Sequence, residues 1–414
     1  MILVEEKEGI FFKFKFSNSL TEIFDYSLKE LKEINSFLEQ STFIVSKKDH
    51  AIIRVDNQSS IESKNGEKLL FHIRKNKTNA NYILENPLPS KISNNNTDIF
   101  DLKLWFVLNN EKNENQQNIY KIINEDYFLH ENDIIKFGNV KYIVFELHID
   151  SKEINNNEEE YETENNENNN YDINELNKNA GPILDFYPSP KESYNSPNEK
   201  NNIICHICKK FECSEENPII KFCNCNSFHF FCLKTEIKEK IIKKTNHKNV
   251  KSYYINGINC KNCNFIYPLK FKISEKIYDL IDIKKPSGNF LILLSIETKI
   301  YYGYMKLIHV VELNEQEITI TIGRESTNDV INPDPSISRQ HAIIKYNQKN
   351  GKVLLKNLSK KYGTLVLIKK SLKLNENKIQ LQIGKIFFEA QIMKFGEFEK
   401  LKNKNTKNPL PKKD

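Results

Sequence analysis

The chain is poor in the residues from which several common sites are built. Twelve glycines in 414 residues leave little room for phosphate-cradling loops, and no Gly-rich loop, carboxylate pair or nucleophile–base set stands out. No window approaches the roughly 18 consecutive apolar residues of a membrane-spanning helix. The best apolar run, FLILLSI at residues 290–296, is strand-sized. The opening residues, MILVEEKEG, lack the basic stretch followed by an apolar one that marks a secretory signal. The expectation is a cytoplasmic or nuclear protein with no membrane partner. Thiols stay reduced there, so cysteines read better as metal ligands than as disulfides.

At roughly 150 residues per domain the length suggests two to four domains. Hydrophobic residues make up 39% and charged residues 28%, enough for real cores but with part of the chain left as solvated linker. Sixty-one basic against 55 acidic residues give a net charge of +6. Residues 151–180 carry nine acids, two lysines and eleven asparagines, which leaves +13 on the rest of the chain. With four prolines following, residues 151–202 read as an Asn/Glu-rich disordered linker.

Residues 1–150 alternate apolar and polar in short runs such as IFFKFKF, LLFHI and VKYIVFELHI. They read as a β-rich N-terminal domain with one helix at 20–40. Beyond residue 269, runs such as EITITIG, HAIIKY, KVLLKNL and IFFEAQIM predict a C-terminal β-sandwich over 288–395. The remainder, 396–414, reads as a basic disordered tail. The fold class is therefore mainly β and multidomain. One internal repeat is visible: LHENDIIKFG at 129–138 parallels LNENKIQLQIG at 374–384, and both lead into an aromatic strand. Two similar turns arising by chance and a diverged second copy of the C-terminal sandwich are both open readings.

All eight cysteines fall between 205 and 263. The order is C-x2-C (Cys205, Cys208), C-x-C (Cys223, Cys225), H-x2-C (His229, Cys232) and C-x2-C (Cys260, Cys263), with Cys213 left over. Close pairs suit zinc, because two ligands from one turn occupy adjacent tetrahedral positions and a second pair completes the site. Eight ligands imply two zinc ions with no open position, hence structural metal. Cys213 would replace Cys223 if the assignment slips by a pair. This order resembles the RING-variant (RING-CH) zinc finger over residues 203–270. The resemblance implies a two-zinc cross-brace in which Cys205, Cys208, His229 and Cys232 hold one ion and Cys223, Cys225, Cys260 and Cys263 the other. Many such fingers are ubiquitin ligases, and Ile207 and Leu233 match the family's contacts to a ubiquitin-conjugating enzyme. Three features depart: Glu236 stands where the family has Trp, the last pair lacks a following Pro, and only three residues separate Cys225 from His229. The 27 residues between Cys232 and Cys260 are long for the family, and LKTEIKEKIIKK there has helical spacing.

In the C-terminal part, Gly323-Arg324, Ser338-Arg-Gln-His341 and Ser359-Lys-Lys-Tyr-Gly363-Thr stand in order, with Ser338 fourteen positions after Arg324. A phosphothreonine is a dianion with three acceptor oxygens, best held by a guanidinium fork and short hydroxyl donors. The pattern resembles the forkhead-associated (FHA) domain. That implies phosphothreonine binding by Arg324 and Ser338, a contact from Arg339, and structural roles for Gly323, His341 and Gly363. Where the family has Asn, this chain has Tyr362, preceded by Lys361, which offers an added point charge. No such pattern occurs in residues 1–150, where Ser46-Lys-Lys-Asp-His50 has one residue too many.

The first functional reading is an adaptor that binds a phosphothreonine-containing protein and carries a structural zinc finger. The alternative is a ubiquitin ligase recruiting phosphorylated substrates. A third, nucleic-acid binding, is motivated by the lysines at 234–251 and 398–413, but no groove motif interleaved with aromatics accompanies them.

Overall fold

The computed structural model describes residues 8–16, 24, 26, 32–40, 42–47, 50–55, 67–75, 82–85, 103–108, 126–150, 189–194, 203–296, 298–300, 303–369, 371–374 and 378–406. The linker expected at 151–202 lies almost wholly outside them, as does the tail beyond 406.

The first strands are β1 (Glu8–Phe16), β2 (Lys32–Leu38), β3 (Thr42–Lys47), β4 (His50–Val55), β5 (Glu67–Lys75), β6 (Tyr82–Glu85), β7 (Trp105–Leu108), β8 (Asp126–Phe128), β9 (Ile134–Phe137) and β10 (Val140–His148). There follow β11 (Glu192–Tyr194), β12 (Ile219–Lys221), β13 (Phe228–His229), helix α1 (Phe230–Glu239), β14 (Ile241–His247), β15 (Val250–Asn256), β16 (Lys270–Ile273), β17 (Lys276–Asp279), β18 (Phe290–Ser295), β19 (Thr298–Ile300) and β20 (Gly303–Glu312). The chain closes with β21 (Glu317–Gly323), β22 (Val330–Ile331), β23 (Ala342–Asn347), β24 (Lys352–Asn357), β25 (Thr364–Leu367), β26 (Leu372–Lys373), β27 (Ile379–Ile383), β28 (Ile386–Lys394) and helix α2 (Phe395–Thr406).

Two compact units result, one from 1–139, 155–180 and 319–414, the other from 140–154 and 181–318. In the first, one layer runs β9-β25-β7-β27-β28-β1-β2, and two five-stranded layers run β22-β21-β23-β24-β8 and β26-β6-β5-β3-β4. Period-two patterning explains these strands. Ile318, Ile320 and Ile322 of β21 are buried, and so are Ile10, Phe12 and Phe14 of β1. Phe71 of β5 stacks on Phe388 of β28 with centroids 4.9 Å apart, joining two layers through aromatic area.

The strand pairing crosses the boundary drawn from sequence at residue 150. β8 lies antiparallel to β24 with Phe128 opposite Leu354, and β25 is flanked by β7 and β9. β28 pairs with β1 along nine residues. A buried ion pair fastens one of these junctions: Lys369 Nζ lies 3.0 Å from Asp133 Oδ1 with both side chains almost fully buried. Asp133 Oδ2 accepts from the Tyr127 hydroxyl at 3.0 Å and from the His130 amide at 2.7 Å. Each charge is thereby compensated where water is absent.

The second unit carries the sheet β14-β15-β20-β18-β10. The stretch between Cys232 and Cys260, long for a RING-variant finger, holds the β14–β15 hairpin, and β15 pairs with β20 over seven residues. The helix expected from LKTEIKEKIIKK is corrected accordingly. α1 spans 230–239 with Phe230, Leu233 and Ile237 buried, and residues 241–247 are strand.

Two further expectations change. Residues 32–38, inside the helix read at 20–40, form β2, an edge strand tied to β1 by Lys13–Glu33 at 2.9 Å. Residues 395–406 form helix α2 instead of disordered tail. The reason is aromatic: Phe395 meets the Phe37 ring edge-on at 5.4 Å, Phe398 stacks on Phe37 at 5.2 Å, and Phe398 lies tilted against Phe11 at 5.9 Å.

Breaking the buried pair leaves one uncompensated charge. Asp133→Ala is expected to cost about 3–5 kcal/mol in urea unfolding, with Asp133→Leu/Lys369→Met recovering most of the loss.

Candidate functional site

β21 ends at Gly323 because the next turn brings two backbones together. A Cβ at Gly323 would lie 2.1 Å from the Arg339 carbonyl oxygen, so only glycine fits. The Arg324 amide donates to the Ser338 carbonyl at 3.0 Å and the Glu325 amide to that of Arg339 at 3.3 Å. Asn328, buried, donates from one amide nitrogen to the carbonyls of Glu325 and Arg339 at 2.9 and 2.8 Å. The two loops bearing Arg324 and Ser338 are thus stitched side by side.

His341 ties in the third loop. The Ser338 amide donates to His341 Nδ1 at 3.0 Å, and His341 Nε2 lies 2.8 Å from the Gly363 carbonyl. Since Nδ1 must accept, the proton sits on Nε2 and is donated to Gly363. Burial holds this imidazole neutral, pushing its pKa down to about 4. The family-derived structural role of His341 fits this geometry.

Ser338 Oγ and Ser359 Oγ lie 2.7 Å apart, and Ser359 Oγ accepts from the Tyr362 amide at 3.1 Å. Asn357 braces the same turn: its Oδ1 accepts from Thr364 Oγ1 at 2.9 Å and from the Ser359 amide at 3.0 Å. Gly363 takes φ +66, the left-handed region, and a Cβ there would meet the ring of Tyr26 at 2.9 Å. These groups surround a hollow of about 580 Å³ lined by Arg324, Ser338, Arg339, Ser359, Lys361 and Tyr362, among others. Lys360 also lines it, so four cations face one acid, Glu325. Lys361 Nζ sits 5.0 Å over the Tyr362 ring. Such a set can take a multiply charged oxyanion, with guanidinium forks and hydroxyl donors on adjacent rigid loops. All five residues expected at this site line one hollow. Ser359, which stands in the same motif, joins them as the hydroxyl partner of Ser338. Asn328 and Asn357 carry no sequence signal beyond their side-chain type.

The cysteine segment forms two four-residue clusters, Cys205/Cys208/His229/Cys232 and Cys223/Cys225/Cys260/Cys263, with the ligand atoms of each within 4.8 Å of one another. The pairing is the one the family resemblance implies, and Cys213 belongs to neither cluster. Both C-x2-C pairs make the same turn. The amides of Cys205 and Cys260 donate to the carbonyls of Lys210 and Phe265, and those of Lys209 and Asn264 donate back to Cys205 and Cys260. Lys209 and Asn264, each just past the second cysteine, take φ +61 and +58. His229 Nε2 donates to the Glu212 carbonyl at 2.6 Å, which leaves Nδ1, 3.2 Å from Cys208 Sγ, as the ring atom that could ligate a metal. All eight cysteines are free thiols. Soft thiolates at tetrahedral reach can hold metal ions such as zinc.

The expected conjugating-enzyme contacts separate. Ile207 is 39% exposed, but Leu233 is fully buried beneath α1, because Phe230, Leu233 and Ile237 form the inward stripe of that helix. Leu233 is therefore corrected from a surface contact to a core residue. Glu236, standing where the family has Trp, pairs with Lys240 at 2.8 Å.

A second buried histidine, His309, lies between Ser252 Oγ at 2.7 Å and Tyr142 at 3.3 Å, and burial lowers its pKa to about 3. In both histidines the folded pKa lies below the unfolded value of about 6.5. Their stabilising contribution is complete above about pH 6.5 and disappears as pH falls through the folded values. Replacing His341 by Asn should flatten the pH dependence of unfolding free energy between about pH 6.5 and 4, by up to about 1.4 kcal/mol per pH unit. Urea midpoints of both proteins across that range check it.

The family model described as FHA domain matches residues 320–387. No curated protein and no solved structure matches the chain. The matched stretch contains Gly323, Arg324, Ser338, Arg339, His341, Ser359, Lys361, Tyr362 and Gly363, the residues around the cationic hollow.

Proposed function

We propose that the protein is a phosphothreonine-dependent adaptor whose hollow at Arg324 and Ser338 takes the phosphate, with a zinc-stabilised finger as its second module. The observation that carries this reading is the hydroxyl pair Ser338–Ser359, 2.7 Å apart in the hollow lined by Arg324, Arg339 and Lys361. In this reading Arg324 supplies a bidentate fork, Ser338 a short donor and Lys361 a point charge. Tyr362 lines the place where the bound peptide's main chain would run, and offers no amide to fix its register.

Two zinc ions, one per cluster, follow from the ligand atoms within 4.8 Å and the matching knuckle turns. They are structural, since each set of four thiolate and imidazole donors closes a tetrahedron. Domain bounds of 203–270 for the finger and 288–395 for the sandwich remain part of this reading. So does a diverged sandwich at 1–150. Ligase activity is not advanced, because Leu233 is buried and Glu236 is engaged with Lys240.

Fluorescence anisotropy with a phosphothreonine peptide library is expected to show binding that Arg324→Ala weakens at least about tenfold, roughly 1.4 kcal/mol or more. Equal affinity for unphosphorylated peptides refutes the reading. For the metal, mass spectrometry of the native chain should count two zinc ions, and Cys263→Ser one. Chelation should unfold the finger, since structural zinc contributes on the order of 10–16 kcal/mol.

A further inference from the structure

The loop that carries Ser338 is braced by residues nearly two hundred positions earlier in the chain. The Asn139 amide donates to Ser336 Oγ at 2.9 Å. Gly138, at φ +59, lies so close that a Cβ would fall 2.2 Å from the Ser336 carbonyl oxygen. Phe137 meets the His341 ring edge-on at 5.4 Å. Phe137 and Gly138 end the segment 129–138 that is repeated at 374–384, Asn139 follows it, and none of the three lies within the family match at 320–387.

The two copies occupy reciprocal places. β4-β3-β5-β6 is completed by β26 from the late copy's side, and β22-β21-β23-β24 by β8 from the early copy's side. Likewise β27–β28 complete the β1–β2 edge, while β9 completes β25. The orders agree strand for strand, the one difference being that β22 runs parallel beside β21 and β4 antiparallel beside β3. In the second unit, β20-β18-β10 repeats the order β2-β1-β28. A chain folding without exchange would place β26–β28 beside β24 and β25, immediately following them in sequence.

From this we infer that the chain is a tandem of two sandwiches that have exchanged their final three strands, and that Phe137, Gly138 and Asn139 are the positioning residues of the site at Ser338. The phosphate site is then incomplete without the N-terminal part of the chain. The inference deepens the phosphothreonine reading and rests on it only for its binding readout.

The repeat supplies a matched pair of variants in the full chain. Gly138 is buried, whereas Gly384, at φ +52, is exposed, so alanine at either meets similar left-handed strain of about 1–2 kcal/mol. Gly138→Ala is expected to weaken phosphothreonine-peptide binding about tenfold or more, and Gly384→Ala to leave it unchanged. The reverse result, or equal losses, overturns the inference. A second readout needs no ligand. Oxidised Phe128→Cys/Leu354→Cys, a directly opposed pair, should form an intrachain disulfide by peptide mapping, and Lys373→Cys/Leu354→Cys should not. A disulfide in the second pair alone, or an interchain disulfide in the first, overturns the exchange. If the native chain binds no phosphothreonine peptide, the phosphothreonine reading falls while the disulfides still decide the exchange.

Discussion

One imidazole organises the candidate site. His341 accepts from the Ser338 amide on one nitrogen and donates to the Gly363 carbonyl with the other, so two loops about twenty residues apart in sequence are held at a fixed distance. A hydrogen bond buried this fully is costly to leave unmade. The same burial keeps the ring neutral, and a neutral ring is the only form that can accept and donate at once. That tether, with the Asn328 bridge between the Glu325 and Arg339 carbonyls, sets the spacing of Arg324, Ser338 and Ser359.

The cysteine segment uses a different device to reach the same end. It brings together two clusters of soft ligands, each C-x2-C pair followed by a left-handed residue, beside a buried aromatic cluster that includes Phe222, Phe228, Phe230 and Tyr267. Its inserted hairpin, β14–β15, extends the sheet through β15 and β20. The cysteine segment is therefore anchored to a β-sheet, which gives the long Cys232–Cys260 interval a structural purpose.

Much of the local structure is legible in the chain. The alternation in EITITIG and IFFKFKF announces strands because a pleated backbone buries every second side chain. The ligand order shows four close pairs, while which pairs come together is what the family resemblance implies and the structure brings about. Where local patterning fails, tertiary contacts outweigh it. Residues 32–38 have helical-looking spacing yet pair with β1, whose lysines match Glu33. Phe395 and Phe398 sit in a stretch whose lysines suggest disorder, and they fold because Phe37 and Phe11 cover them. Leu233 follows a zinc-ligand pair as a docking residue would, but the helix phase turns it inward.

By itself the sequence determines the chemistry: which side chains can grip an oxyanion, which can hold metal, and which segments are strands. Period-two burial, ligand spacing and donor type are local properties, so they survive without knowledge of the fold. Only the tertiary structure decides which strands sit side by side. The repeats at 129–138 and 374–384 have nearly the same pattern, and either could have lain beside β24 and β25. The choice rests on contacts between distant residues, the buried Asp133–Lys369 pair and the approach of Gly138 to Ser336, whose energies no local window contains.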